Sequence, residues 1–263
     1  MTSKSAAALD ARTSAGGAGF VGYLTVGYPD LETSIAAGRA LVACGVDIIE
    51  LGLPYSDPGM DGPVIQHTGQ LALDAGTRTR HVLQAVEALA DSVPVLVMTY
   101  FNPVHRYGVE RFARDLASAG GAGLITPDLV PDEAASWIDA ASAHDLDRVF
   151  LVAPSSTDAR LARTAAACRG FVYAASTMGV TGERATVDDT AEVLVARTRA
   201  AGAERVCVGL GVSNADHARE VGAYADGVIV GSALLRALGD GISSLRHLAV
   251  ELADAAHSAR SGG

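Results

Sequence analysis

The chain has 263 residues, 49% hydrophobic and 19% charged, with 30 Asp and Glu against 20 Lys and Arg for a formal net charge of −10. That balance argues against a surface for nucleic acid or anionic lipid, which reward clustered cations, and suits one large α/β domain as well as two smaller ones. The three cysteines, Cys44, Cys168 and Cys207, lack metal-ligand spacing and sit among apolar or small residues, as reduced, buried thiols of a cytoplasmic protein do.

Residues 1–18 are rich in Ala, Ser, Thr and Gly, carry no apolar block like that of a signal peptide, and are expected to form a flexible tail. Lys4, within that tail, is the only lysine of the chain. A lysine Schiff base is therefore excluded as the catalytic device, and any bound phosphate falls to arginine or to backbone N–H groups. From there, short β-rich runs alternate with longer helical patterns. Strands are expected at 20–26, 46–53, 93–100, 123–127, 148–152, 171–175, 205–209 and 227–230. Amphipathic helices are expected at 31–44, 109–119, 132–143, 158–168 and 187–201. Residues 64–90 exceed what one helix needs, so an additional helix is expected there, and another near 242–258 to close the fold. Eight βα units of about 33 residues each, with no Pro/Ser-rich linker, match a (β/α)8 TIM barrel with extra helices, a single domain over 19–263. A doubly wound open sheet is the alternative, because patterning does not report strand closure.

In a barrel, chemistry belongs at the carboxyl ends of the strands. The stretch "IIELGLPYSDPGMDGP", residues 48–63, places Glu50 in an apolar strand and Asp57 and Asp61 in the loop that follows. If Glu50 points inward, two-residue alternation sends Ile48 and Gly52 inward and Ile49 and Leu51 toward the helices. A carboxyl group there resists ionisation and acquires a pKa suited to giving and taking a proton near neutral pH; a Glu paired with an arginine across the barrel is the bland alternative. Pro54, Pro58 and Pro63 stiffen the loop, and its aspartates read either as turn formers or as part of a site.

A second cluster comes late, in "YAASTMGVTG", "VGLGVSNADHA" and "VGSALLR". Glycines at three successive βα junctions, among them Gly182, Gly211 and Gly231, with Ser232 opening a helix, allow backbone N–H groups to approach an anion. A phosphate site is expected there.

The stretches "IELGLPYSDPGMDGPVIQ", "TYFNPVHRYGVERF", "FVYAASTMGVTG" and "ADGVIVGSAL", in this order and spacing, strongly resemble the tryptophan synthase α subunit over about 22–248. The resemblance implies retro-aldol cleavage of indole-3-glycerol phosphate to indole and glyceraldehyde 3-phosphate with no cofactor in this chain. It assigns Glu50 as general acid/base, Asp61 as the carboxylate pairing with the indole N–H, and Tyr173 as the tyrosine near the glycerol. It gives the phosphate to Gly182, Gly211, Gly231 and Ser232, and makes Thr181 a lid residue that orients Asp61. It also implies a β-subunit partner in an α2β2 complex, carrying pyridoxal phosphate, receiving indole through a tunnel and facing Pro54, Asp57 and Asn102. Two departures stand out: Met60, where the family has a small alanine, and Val130 in "PDLVPDE", where proline is frequent. A free-standing indole-3-glycerol phosphate lyase and a catalytically weakened regulatory subunit are the rival readings. A triose-phosphate-type isomerase would want its base near the end of the sixth strand, where the sequence offers Tyr173 and Ser176.

Overall fold

The computed structural model describes residues 2–175, 189–209 and 211–260. Eight parallel strands close into a barrel in sequential order: β1 (Gly19–Thr25), β2 (Ile48–Gly52), β3 (Val95–Met98), β4 (Gly123–Thr126), β5 (Asp147–Val152), β6 (Val172–Ala175), β7 (Val206–Gly209) and β8 (Gly227–Val230). All eight expected strands lie where the patterning put them. The pairing of β1 with β8, Gly22 opposite Val230, decides the alternative of an open sheet against it.

Strand alternation divides the apolar residues into two cores. Val21, Ile48, Leu96, Ile125, Val149, Tyr173, Cys207 and Ile229, one from each strand, fill the barrel interior. Their neighbours, including Leu24, Ile49, Leu51, Val97, Leu124 and Val208, join the layer under the helices. Ile49 and Leu51 thus face outward and Ile48 inward, as the reading of Glu50 required.

The described helices are α1 (Lys4–Ser14), α2 (Leu31–Ala43), α3 (Pro63–Asp74), α4 (Thr79–Leu89), α5 (Phe101–Tyr107), α6 (Val109–Ser118), α7 (Ala135–Ala143), α8 (Asp158–Ala167), α9 (Asp189–Ala200), α10 (Ala215–Tyr224), α11 (Ser232–Gly239) and α12 (Ile242–His257). Local chemistry sets several starts: Asp30 accepts from the Thr33 N–H at 2.8 Å ahead of α2, and Asn214 accepts from the His217 N–H at 2.9 Å ahead of α10. The long segment 64–90 holds α3 and α4, and α12 packs against α2, α10 and α11. The helix expected at 132–143 starts later, after a 3-10 turn at Pro131–Glu133. Helix α5 was not anticipated. Pro103 lies in its first turn, where a missing N–H costs no helical bond, and Gly108, at φ 97°, separates it from α6. No described helix is long and apolar enough to cross a membrane.

The expected flexible tail is the clearest difference. Residues 4–14 form α1, capped by Ser3, whose Oγ accepts from the Ala6 N–H at 3.0 Å. Leu9 is fully buried within the interior cluster. It fits because the first residues of β1 and β8 are Gly19 and Gly227: a Cβ on Gly19 would fall 2.6 Å from Leu9 Cδ2. Polar anchors hold the plug. Buried Asp147 accepts from Ser3 Oγ at 2.8 Å and Ser5 Oγ at 2.6 Å, and Arg205 clasps Asp10 through two bonds of 2.7 Å. Arg12 meets Asp47 at 2.6 Å, and the other oxygen of Asp47 contacts His257 at 2.8 Å, tying α1 and α12 to the start of β2. One leucine filling one hole leaves no periodic signature, which is why this helix was not legible as part of the fold.

Candidate active site

Glu50 occupies the middle of β2 and points into the barrel, 1% exposed. Its Oε2 has no hydrogen-bond partner among the described residues. Among the described residues no arginine pairs with it, which speaks against an ion pair across the barrel. Burial first, and then the charge of Asp61, push the carboxyl up from 4.5 to about 8. Asp61 is supplied by the loop between β2 and α3, just ahead of Pro63 at the first helical position. Burial raises it from 3.8 to about 6, against a hydrogen bond from Tyr100 that lowers it. The two carboxyl groups therefore differ in protonation at neutral pH: Asp61 ionises first, and its charge favours the neutral form of Glu50.

Tyr100, which the sequence reading passed over, fixes the loop. It follows β3, and its Oη accepts from the Met60 N–H at 2.8 Å while bonding the Asp61 side chain. Met60 thus enters the site through its backbone. The main chain of Asp61 is held again by Gln66, whose Nε2 donates to its carbonyl at 2.7 Å. At the end of β1, Thr25 Oγ1 meets Thr68 Oγ1 at 2.9 Å, linking the strand to α3, the helix that continues the Asp61 loop. Asp128, in the "PDLVPDE" stretch, accepts from the Phe101 N–H at 2.9 and 3.1 Å and so sets the start of α5. In sequence Tyr100 reads as the last residue of the strand expected at 93–100 and Asp128 as an aspartate before a turn, so neither stands out.

Two tyrosines lean inward over glycines. Tyr173 on β6 pairs in register with Cys207, and a Cβ on Gly209, two residues further along β7, would overlap its hydroxyl. Burial, and next the charge of Glu50, hold the Tyr173 phenol well above its usual range. Tyr23 on β1 pairs in register with Glu50, and a Cβ on Gly52 would overlap its hydroxyl in the same way. The gap expected beside Glu50 at Gly52 is therefore filled by Tyr23.

Of the glycines in the expected phosphate cradle, Gly211 and Gly231 follow β7 and β8, which are neighbouring strands of the barrel. Gly209 of β7 is opposite Ile229 of β8, and each of the two glycines comes two residues later. Gly211 has φ 85°, a conformation that side chains with a Cβ rarely adopt. Gly231 is the N-cap of α11 and Ser232 its first residue, with no side chain capping the helix. The first N–H groups of α11 thus lack intrahelical acceptors, and their partial positive charge favours an anion. Gly182 and Thr181 lie outside the described residues, as do Ser176 and Gly179. Of the residues expected to face a partner, Asp57 and Asn102 are exposed, and Tyr55, Asp57, Asn102 and Arg106 help line one surface groove of about 430 Å³. Pro54 is buried within the chain. Asn102 Nδ2 donates to Tyr55 Oη at 3.2 Å, and the Tyr55 and Tyr100 rings lie 5.3 Å apart.

Two raised carboxyl groups, one inside a parallel barrel and one in the loop above it, agree with the resemblance carried by the motifs. A family model described as tryptophan synthase alpha chain matches residues 9–261. The chain belongs to the tryptophan synthase alpha chain family. It is 61% identical to the alpha chain of Mycobacterium marinum over 237 residues, covering 90% of this chain and 88% of the relative. Its identity to the alpha chain of Bifidobacterium longum is 54% over 253 residues, covering 92% and 87%. Among solved structures, Mycobacterium tuberculosis tryptophan synthase superimposes with a TM-score of 0.94 at 54% identity, covering 98% of this chain and 99% of the other. A tryptophan synthase alpha chain from Legionella pneumophila, at 26% identity and covering 97% of each chain, still reaches 0.87. As a tryptophan synthase alpha chain, this protein is a lyase of tryptophan biosynthesis that cleaves indole-3-glycerol phosphate to indole and glyceraldehyde 3-phosphate.

Proposed function

We propose that Glu50 carries both proton transfers of the retro-aldol cleavage and that Asp61 holds the indole ring. Cleavage requires a proton at indole C3, charge relief at the ring nitrogen, and loss of a proton from the hydroxyl on the carbon bonded to the ring. Neutral Glu50 gives its proton to C3, and anionic Asp61 pairs with the ring N–H as positive charge develops there. The Glu50 carboxylate then takes the hydroxyl proton as the carbon–carbon bond breaks. The bonding electrons return to the ring, the aldehyde forms, and Glu50 regains its starting proton. The burial of Glu50 inside the barrel with Asp61 near it, which pushes the two groups up to about 8 and about 6, is the observation that carries this reading. Tyr173 stands beside the glycerol, and Gly182, Gly211, Gly231 and Ser232 hold the phosphate, with Thr181 on the loop that closes over the site. Support for the phosphate end comes from Gly231 and Ser232 at the uncapped start of α11 and from Gly211 just after the neighbouring strand β7.

The partner is a tryptophan synthase β subunit in an α2β2 complex, in the cytoplasm. This chain needs no cofactor of its own; pyridoxal phosphate belongs to the β subunit, which condenses indole with serine. Asp57 and Asn102 meet the partner directly, while buried Pro54 shapes the loop behind them. The path from Asn102 through Tyr55 and Tyr100 to Asp61 gives docking a physical route to the carboxylate. Steady-state cleavage of indole-3-glycerol phosphate, with and without a related β subunit, tests the reading. Slow cleavage that rises strongly on adding the partner supports it. Fast cleavage indifferent to the partner selects a free-standing lyase, and absence of cleavage in both conditions selects the weakened regulatory subunit.

A further inference from the structure

Tyr23 and Tyr173 stand in the same local geometry on two strands of the barrel. Each points inward, each is 7% exposed, and each hydroxyl lies over a glycine two residues beyond its register partner on the following strand, Gly52 and Gly209. On one side of Tyr23, its strand neighbour is Glu50. On the other side, a Cβ on Gly231 would lie 3.4 to 3.6 Å from Tyr23 Cδ1, Cβ and Cγ, in ordinary contact. The ring therefore spans the interval between the acid/base and the start of α11. A substrate whose phosphate rests at α11 and whose reacting carbon meets Glu50 must lay its three-carbon chain across that interval.

The Tyr23 hydroxyl is also uncommitted as a donor. Its described hydrogen bond is accepted from Thr25 Oγ1 at 3.5 Å, the limit of such a contact, and its own proton has no acceptor among the described residues. A buried phenol with a spare donor is costly unless something accepts from it. We propose that Tyr23 is a substrate-contacting residue whose hydroxyl donates to a hydroxyl of the glycerol chain, acting from β1 as the counterpart of Tyr173 on β6. The inference rests on the proposed placement of the phosphate at Gly211 and Gly231.

The test is Tyr23→Phe, which keeps the ring over Gly52 and removes one oxygen. Two ligands are compared: indole-3-glycerol phosphate, and its analogue with both chain hydroxyls replaced by hydrogen. The variant is expected to lower kcat/KM for the substrate about threefold to tenfold, the range of one neutral hydrogen bond, while analogue Kd stays within about twofold. Equal losses on both ligands would assign Tyr23 to ring packing and overturn the proposal, as would an unchanged kcat/KM. If the wild-type chain cleaves substrate but Gly231→Val leaves analogue binding intact, the phosphate placement fails, and the Tyr23 proposal falls with it.

Discussion

Replacing Glu50 with glutamine separates the catalytic role of this carboxyl from its cost to the fold. The rise from 4.5 to about 8 corresponds to roughly 5 kcal/mol, at about 1.4 kcal/mol for each tenfold change in proton affinity. Its sign follows from proton bookkeeping: between these two values the carboxyl is protonated in the folded chain and ionised in the unfolded one. Folding then takes up a proton, so this group weakens stability as pH rises from 4.5, and the penalty levels off above about 8. Glutamine has the same shape and no such term. Glu50→Gln is therefore expected to match wild-type stability near pH 5 and to exceed it by several kcal/mol at pH 8.5, read by urea titration at both values. Cleavage of indole-3-glycerol phosphate should fall at least 10²- to 10⁴-fold, the usual share of general acid–base catalysis, with substrate affinity held within about tenfold by the phosphate and indole contacts. Retained turnover would refute the acid/base assignment. A stability gain that is absent at pH 8.5, or larger at pH 5, would refute the buried neutral carboxyl.

Tyr100→Phe removes the hydrogen bond that lowers the proton affinity of Asp61. The anion loses a donor, so the acidic limb of kcat/KM against pH should move upward from about 6 by roughly half to one pH unit; a limb that stays or moves down contradicts Tyr100 as the group that tunes Asp61. At the other end of the barrel, Leu9→Ala empties the hole between Gly19 and Gly227 and should cost about 2 to 5 kcal/mol in urea denaturation while kcat/KM of the folded protein stays within about twofold. An unchanged denaturation midpoint would mean that α1 does not plug the barrel.

Much of the reacting end was written locally. Glu50 was marked by a charge inside an apolar strand, and Asp61 by a proline-stiffened loop directly after it, because an unusual residue in a regular pattern is visible without knowing what lies opposite. Tyr100 and Tyr23 carried no such mark. A tyrosine in a strand is an ordinary strand former, and its role depends on which atoms of other elements meet its side chain: Met60 and Asp61 at the hydroxyl of Tyr100, Gly52 at the hydroxyl and Gly231 at the ring of Tyr23. Helix α1 is illegible in the sequence for a related reason. Its Ala-rich composition suits a helix, but a single leucine gives no amphipathic period, and the cavity that receives it exists only once β1 and β8 are adjacent.

The sequence by itself determined the succession of strands and helices, the inward face of β2, the absence of a usable lysine and the family-bearing motifs, because each is a property of neighbours along the chain. Closure of the barrel, the pairing of Tyr100 with Asp61, the two tyrosines over their glycines and the seating of α1 were decided only by tertiary structure. Each depends on contacts between residues tens to hundreds of positions apart, and burial, which raises the proton affinity of Glu50, is a property of the assembled barrel.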